Sequence, residues 1–480
     1  ADVYPLAPLQ EGLLFHHLLA GDGEDAYALP MVLEFASRDG LDAFLHALQQ
    51  VVDRHDILRT GIVWDGLREP VQVVRRRAEL TVEEVTLGAR GTDAERVAEL
   101  VAFGSTAMDL SRAPLIDLHL ARATEDETDG RWLALIRAHH MVQDHTAKEV
   151  LLEEVHAFLT GHGDELAQPL PFRNFVAQAR GAVDESEHER YFAELLGDVT
   201  EPTAPYGVLE ARGDGSGVIR GGLTLPRPLT LRIREIARRM GVSSAPVLHV
   251  AWARVLAAVS GRTDVVFGTV LFGRMNAGAG SDRVPGPFMN TLPVRLRTAE
   301  LGSLDAVSAM RGQLAELLEH EHAPLALAQR ASGVHGNSPL FTSFFNYRHS
   351  QGAARGAEAE AAAAAADPVT GIRMVFEHDR TNYPLSVAVT DDGDSLDVTI
   401  DSIAPIDPHA VSALMHVTVA NLVAALETAL DGGADAPLDG VDVLGDAERG
   451  KVLVEWNDSA ADLGQALVPE LFAARAARTP

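Results

Sequence analysis

The chain has no cysteine, which excludes thiol catalysis, thiolate metal ligation and a disulfide framework. It is also short of positive charge: its 480 residues hold 40 Lys and Arg against 69 Asp and Glu, a formal net charge of −29. Nothing supplies a large cationic face, so neither nucleic acid nor an anionic membrane is an expected partner. No basic leader precedes Asp2 and Glu11, and no apolar run approaches the ~20 residues of a membrane helix. A cytoplasmic location is the expectation. Motifs are missing as well. The Gly-rich stretch 273–286 has neither GxGxxG nor GxxxxGK[ST], no HExxH spacing occurs, and Ser343 and Ser386 lack a nucleophile-elbow context.

What is present reads as folded α/β protein. The chain is 46% hydrophobic and only 23% charged, and its length predicts two or three lobes. Leu41, Phe44, Leu45, Leu48 and Val52 recur at helical spacing over 40–57. Residues 62–64 and 70–74 read as strands, and 131–138 as a strand apolar on both faces. A helix follows, with Val150, Leu151, Val155, Phe158 and Leu159 on one face and Thr146 and Glu149 as a candidate capping box. Lys148 on its first turn opposes the helix dipole. A bridging segment with one helix near 187–196 leads to a second lobe. There, 231–240, 244–260, 304–321 and 411–430 read as helices, and 264–271 and 290–296 as strands. Pro293 predicts an edge position for the last strand. The Ala/Glu stretch 357–366 reads as a surface insertion, and 470–478 as a short helix.

The chemistry concentrates at the strand-to-helix junction His139-His140-Met141-Val142-Gln143-Asp144-His145. Ligands commonly bind at the carboxyl ends of strands in open α/β folds. Histidine titrates near cellular pH, so a base and an orienting carboxylate can share one cleft here. Two other readings stand beside this one. Both histidines can be satisfied core residues, or His140, Asp144 and His145 can be metal ligands.

These residues resemble the condensation domains of non-ribosomal peptide synthetases along nearly the whole chain. The family signature HHxxxDG is met at His139, His140 and Asp144 and departs at His145, where glycine is usual. Residues 4–12, Tyr-Pro-Leu-Ala-Pro-Leu-Gln-Glu-Gly, match the first family motif, and 54–60, Arg-His-Asp-Ile-Leu-Arg-Thr, match RHxxLRT. Residues 287–295 resemble GxFxNTLPVR with Pro287 unusual, and 320–325 resemble the late HxxxP motif. The last thirty or so residues resemble a linker and the start of an adenylation domain, which predicts a piece of a longer chain.

The resemblance implies two chloramphenicol-acetyltransferase-like α/β lobes in a V with an active-site tunnel between them. It implies an N-terminal lobe over 1–175, a C-terminal lobe over 176–448 and a linker over 449–480. Two crossovers from the C-terminal lobe are expected, a floor loop at 272–291 and a latch near 379–389. The implied reaction is amide formation between a carrier-bound acyl or peptidyl thioester and a carrier-bound aminoacyl amine, in antibiotic-type peptide biosynthesis. The implied partners are upstream donor and downstream acceptor carrier proteins and an adjacent adenylation domain. No cofactor is expected on the domain itself; the phosphopantetheine arms belong to the carriers. His140 is implied as the catalytic residue, acting as a base or electrostatically. His139, Asp144, His145 and Arg295 are implied as supporting, with Arg295 the expected partner of Asp144. His16 and His17 begin a stretch, His-His-Leu-Leu-Ala-Gly-Asp-Gly-Glu, that resembles the insertion of dual epimerisation/condensation domains, with Glu24 for the usual aspartate. Their bland reading is a helix end. The alternatives are a condensation-only domain taking a D-configured donor, a non-catalytic partner-recruiting module, and a free-standing acyltransferase.

Overall fold

Strand Trp132–His139 is apolar on both sides because it is covered twice. Ala134, Ile136 and Ala138 join the large N-terminal core, which includes Leu41, Phe44 and Val51 of helix Arg38–Arg54. Leu133 and Leu135 face the other way, into a small cluster with Leu100 of helix Asp93–Phe103. The two-residue period of the strand sorts the side chains. In the computed structural model the described residues are 2–20, 27–88, 91–104, 107–124, 130–209, 217–274, 280–336, 338–349, 370–377, 383–460 and 466–479. The Ala/Glu stretch 357–366 lies outside them.

The N-terminal sheet has five strands, in the order Ile372–Glu377, Ala28–Phe35, Trp132–His139, Ile116–Arg122, Thr81–Glu84. A three-stranded sheet of Asp2–Pro5, Val71–Val74 and Thr60–Val63 lies beside it in sequence. The C-terminal sheet has six strands, in the order Asn290–Arg297, Asp264–Leu271, Ser343–His349, Leu385–Asp391, Leu396–Ile403, Val218–Thr224. Pro293 lies on an edge strand, as its missing N–H requires. Helices Ser244–Ser260 and Pro408–Leu430 both pack into one core, which holds Trp252. The architecture is the mixed α/β one expected.

Four expectations are corrected. Helix Phe172–Gly181 places Phe172, Phe175, Val176 and Ala179 in the N-terminal core, so a boundary at 175 cuts through a packed helix. The chain reaches the second core only with Phe192 and Leu196 of helix Glu185–Leu196. The segment that crosses between sheets is Ile372–Glu377, which pairs antiparallel with Ala28–Phe35. The expected 379–389 instead holds Leu385–Asp391, an interior strand whose Leu385, Val387 and Val389 are fully buried; 378–382 lie outside the described residues. Helix Pro408–Leu430 is long and apolar enough to cross a membrane, contrary to the sequence reading. Its apolarity has another cause here, since Val411, Met415, Val419, Leu422 and Leu426 fill the C-terminal core. Finally, the helix after the histidines is not capped by Thr146 and Glu149. Asp144 is the N-cap, its Oδ1 accepting from the Ala147 N–H at 2.7 Å.

Candidate active site

A cavity of about 1310 Å³ opens between the two sheets. Leu9, His16, Tyr27 and Ile136 line it from the N-terminal side, and Val270, Thr291, Phe344 and Asn346 from the other. His140 lies on the N-terminal wall. It continues the alternation of Ile136 and Ala138, which line the same cavity, and its N–H donates to the Tyr27 carbonyl at 2.8 Å. Its Nδ1 is buried and has no hydrogen-bond partner among the described residues. His139, one residue earlier, points the opposite way. It is fully buried, and its Nδ1 accepts from the Met141 N–H at 3.0 Å. The pair thus splits into one core histidine and one cavity histidine.

Asp144 is 2% exposed. Besides capping its helix, its Oδ1 accepts from Arg274 Nη2 at 2.8 Å and its Oδ2 accepts from the Phe288 N–H at 3.1 Å. Arg274 also donates to the carbonyls of Ser281 and Val284 at 2.7 and 2.8 Å, and its guanidinium lies 4.0 Å from the Phe288 ring centroid. Phe288 packs against Phe172 and Phe175. One carboxylate therefore ties the loop before strand Asn290–Arg297 to the N-terminal core. The Asp144 carboxylate thus accepts three hydrogen bonds, from Ala147, Arg274 and Phe288. Among the described residues no group of three or more candidate ligands is placed to hold a metal ion.

Arg295 is not the partner of Asp144. It donates through Nε and Nη2 to Asp264 at 2.9 and 2.6 Å, and through Nη1 to Asp198 at 2.5 Å. The register puts Arg295 opposite Val266 on the neighbouring strand, two pairs from the Asp264–Arg297 pair at its end. Arg295 is thus held within the C-terminal lobe, and those hydrogen bonds hold its guanidinium above its ordinary range. Arg274 carries the pairing with Asp144, and the sequence reading missed it. The available signal was an arginine with no acidic neighbour inside a Gly-rich loop.

Other motif residues are scaffold. Gln10 donates through Nε2 to the Met141 carbonyl at 2.8 Å and accepts from the Ala7 N–H at 2.8 Å, bracing the histidine loop from below. His55 Nε2 lies 2.8 Å from Glu154 Oε2, to which Arg54 Nε also donates at 3.0 Å. That cluster locks helix Arg38–Arg54 against helix His145–Leu159. His145 is exposed, 3.5 Å from the Glu149 carboxylate on its own helix, and it lines the cavity. Lys148 pairs with Glu377 at the end of the crossing strand, which offsets its unfavourable place in the helix dipole.

His16 lines the cavity beside Tyr27, with ring centroids 6.0 Å apart, and burial pushes its pKa down. His17 contacts His139 edge-on at 6.0 Å. The two histidine pairs of the chain therefore meet at one wall. The rest of the insertion-like stretch, 21–25, lies outside the described residues. Within the C-terminal lobe, His320 Nδ1 lies 2.8 Å from His188 Nδ1 and stacks on Tyr191, while Asn290 donates to the carbonyls of Glu321 and Ala323 at 2.9 and 2.8 Å. Burial pushes His322 down to about 4. The late motif is thus a packing element next to the cavity.

A family model described as Condensation domain matches residues 1–413. Malpibaldin synthetase of Mortierella alpina is 42% identical over 457 residues, covering 95% of this chain and 8% of the relative. Malpinin synthetase of the same organism is 40% identical over 482 residues, covering all of this chain and 6% of the relative. The chain thus spans less than a tenth of the length of these relatives. A crystal structure of a four-domain nonribosomal peptide synthetase bound to AMP and glycine superposes with a TM-score of 0.72 at 13% identity, over 94% of this chain and 34% of that one. Its similarity speaks to the fold alone. On the family match and the geometry together, the chain belongs to the condensation-domain family.

Proposed function

We propose that this chain forms amide bonds in nonribosomal peptide synthesis, joining a carrier-bound acyl or peptidyl thioester to the amine of a carrier-bound aminoacyl thioester. The observation that carries this reading is His140: a cavity histidine whose Nδ1 has no hydrogen-bond partner among the described residues, on a loop braced by Gln10, Asp144 and Arg274. The amine attacks the thioester carbonyl, the C–N bond forms and the C–S bond breaks. His140 takes the proton from the attacking nitrogen and passes it to the leaving sulfur. The thioester is already activated, so holding the two arms end to end in the cavity supplies much of the acceleration.

The finer proposal is that the α-carbon of the donor is inverted first. What supports it is His16, a histidine that lines the cavity and whose pKa is pushed down by desolvation, on a wall that also carries His140. The test is a two-carrier reaction in deuterated buffer with an L-terminated peptidyl donor. The expected product is an extended peptide with an inverted, deuterium-labelled donor residue, and His16→Ala is expected to lower labelling more than product formation. Unlabelled product of retained configuration leaves condensation standing and removes epimerisation. No product with both carriers loaded removes both.

A further inference from the structure

Strand Ser343–His349 alternates cleanly. Ser343 and Phe345 are fully buried toward the core, and the Tyr347 hydroxyl donates to Asp391 Oδ2 at 2.6 Å. Phe344, Asn346 and Arg348 face the cavity instead. Two polar atoms on this face are buried with no hydrogen-bond partner among the described residues, Asn346 Oδ1 and Arg348 Nε. Each is costly to leave unpaired in a folded protein, and both belong to residues that line the cavity. The other charges around the cavity are matched: Lys148 with Glu377, Arg220 with Asp401, Asp144 with Arg274. Arg348 has no carboxylate partner among the described residues. Beside Asn346 in register lies Ala388, whose small side chain fills little of the space over the amide.

We propose that Asn346 and Arg348 form a subsite for a backbone peptide group of the donor chain. The subsite makes a peptidyl thioester a better donor than a single aminoacyl or plain acyl one; this rests on the amide-forming reading above. Same-face neighbours on a strand lie about 6–7 Å apart. One presents an acceptor oxygen and the other a guanidinium donor, which is the complement of one peptide N–H and one peptide carbonyl. A plain acyl chain leaves both atoms unpaired. An acidic side chain satisfies Arg348 and leaves Asn346 Oδ1 bare. Of the two substrates only the donor extends beyond one residue, so the subsite belongs to it.

The test uses the 480-residue chain and hydrolysis-resistant pantetheine amides, with binding measured by calorimetry. The ligands carry a single amino acid, a dipeptide, the same dipeptide with its internal amide replaced by an ester, or a single Glu. The dipeptide is expected to bind about tenfold tighter than the single residue, and the ester analogue to lose much of that gain. Asn346→Ala and Arg348→Ala are expected to erase the gain, a loss of about tenfold in dipeptide binding, while changing single-residue binding less than about twofold. Arg348→Lys, which keeps the charge, serves if the alanine variant folds poorly and is expected to lose most of the gain, because the fork geometry is gone. Equal weakening of all four ligands, or no change, overturns the subsite, as does a Glu derivative that binds as tightly as the dipeptide. Turnover separates this inference from the reading beneath it. Discrimination between analogues without amide formation removes the proposed reaction and keeps the subsite. Amide formation at equal kcat/KM from both donors removes the subsite and keeps the reaction.

Discussion

His140 and Asp144 lie four residues apart in one motif and are treated oppositely by the fold. Asp144 gives its carboxylate to a helix N-terminus, to Arg274 and to the Phe288 N–H. His140 keeps a ring nitrogen without a hydrogen-bond partner among the described residues. Between them the backbone is braced by Gln10 on the Met141 carbonyl. The difference teaches how such a junction is built: one end is held by three hydrogen bonds, while the other, on the cavity wall, keeps a buried ring nitrogen unpaired among the described residues. Arg274, just after strand Asp264–Leu271 of the C-terminal sheet, anchors Asp144 and so ties that sheet's loop to the wall that carries His140.

The largest effect on stability is expected at the anchor. Asp144→Ala leaves Arg274 buried without its carboxylate, and Arg274→Ala leaves the reverse; each is expected to cost about 3–5 kcal/mol in denaturant unfolding. Equal stability of wild type and both variants breaks the comparison. Arg295→Ala is the matched control away from the cavity. Its guanidinium is 7% exposed, but its carboxylate partners are 37% and 62% exposed, so water screens much of the interaction. A loss of about 1–2 kcal/mol is expected, with amide formation per folded molecule unchanged. A large activity loss in Arg295→Ala that exceeds that of Arg274→Ala contradicts the assignment of Arg274 as the cavity anchor.

Acid is expected to act elsewhere in the molecule. Burial holds His249 and His322 down to about 4 in the folded chain. The unfolded chain protonates near 6.5, so it takes up the proton first as pH falls. The stability these groups contribute is present above about pH 6.5 and is lost between there and about pH 4, by a few kcal/mol in total. His322→Gln is expected to flatten part of that slope in thermal unfolding at pH 7 against pH 5. An unchanged slope removes His322 as a source.

Much of this was legible in the chain, for physical reasons that differ by region. Strand Asp264–Leu271 and helix Ser244–Ser260 were read at their observed bounds because long apolar runs between glycines leave little choice. The split between His139 and His140 follows from strand alternation once the strand end is known. Strand Ile372–Glu377 was missed because all but the last of its residues are half-buried, and its place depends on pairing with Ala28–Phe35 far away in sequence. The Arg274 pairing was missed for a similar reason. Arg295 stands in a motif and Arg274 does not, yet only the fold decides which guanidinium reaches Asp144. Asn346 and Arg348 had no sequence signal at all, since a polar pair on a strand reads as a solvated face until the opposite wall is in view.

The most direct measurement compares His140→Ala with Asp144→Ala in single-turnover amide formation and in thermal unfolding, using the same loaded carriers. The account predicts that His140→Ala slows the chemical step by about a hundredfold or more while its Tm stays within about a degree of wild type. It predicts that Asp144→Ala lowers the Tm by several degrees. Near-normal turnover by a folded His140→Ala protein, or an equal fall in Tm for both variants, contradicts the division of the motif into an open residue and an anchored one.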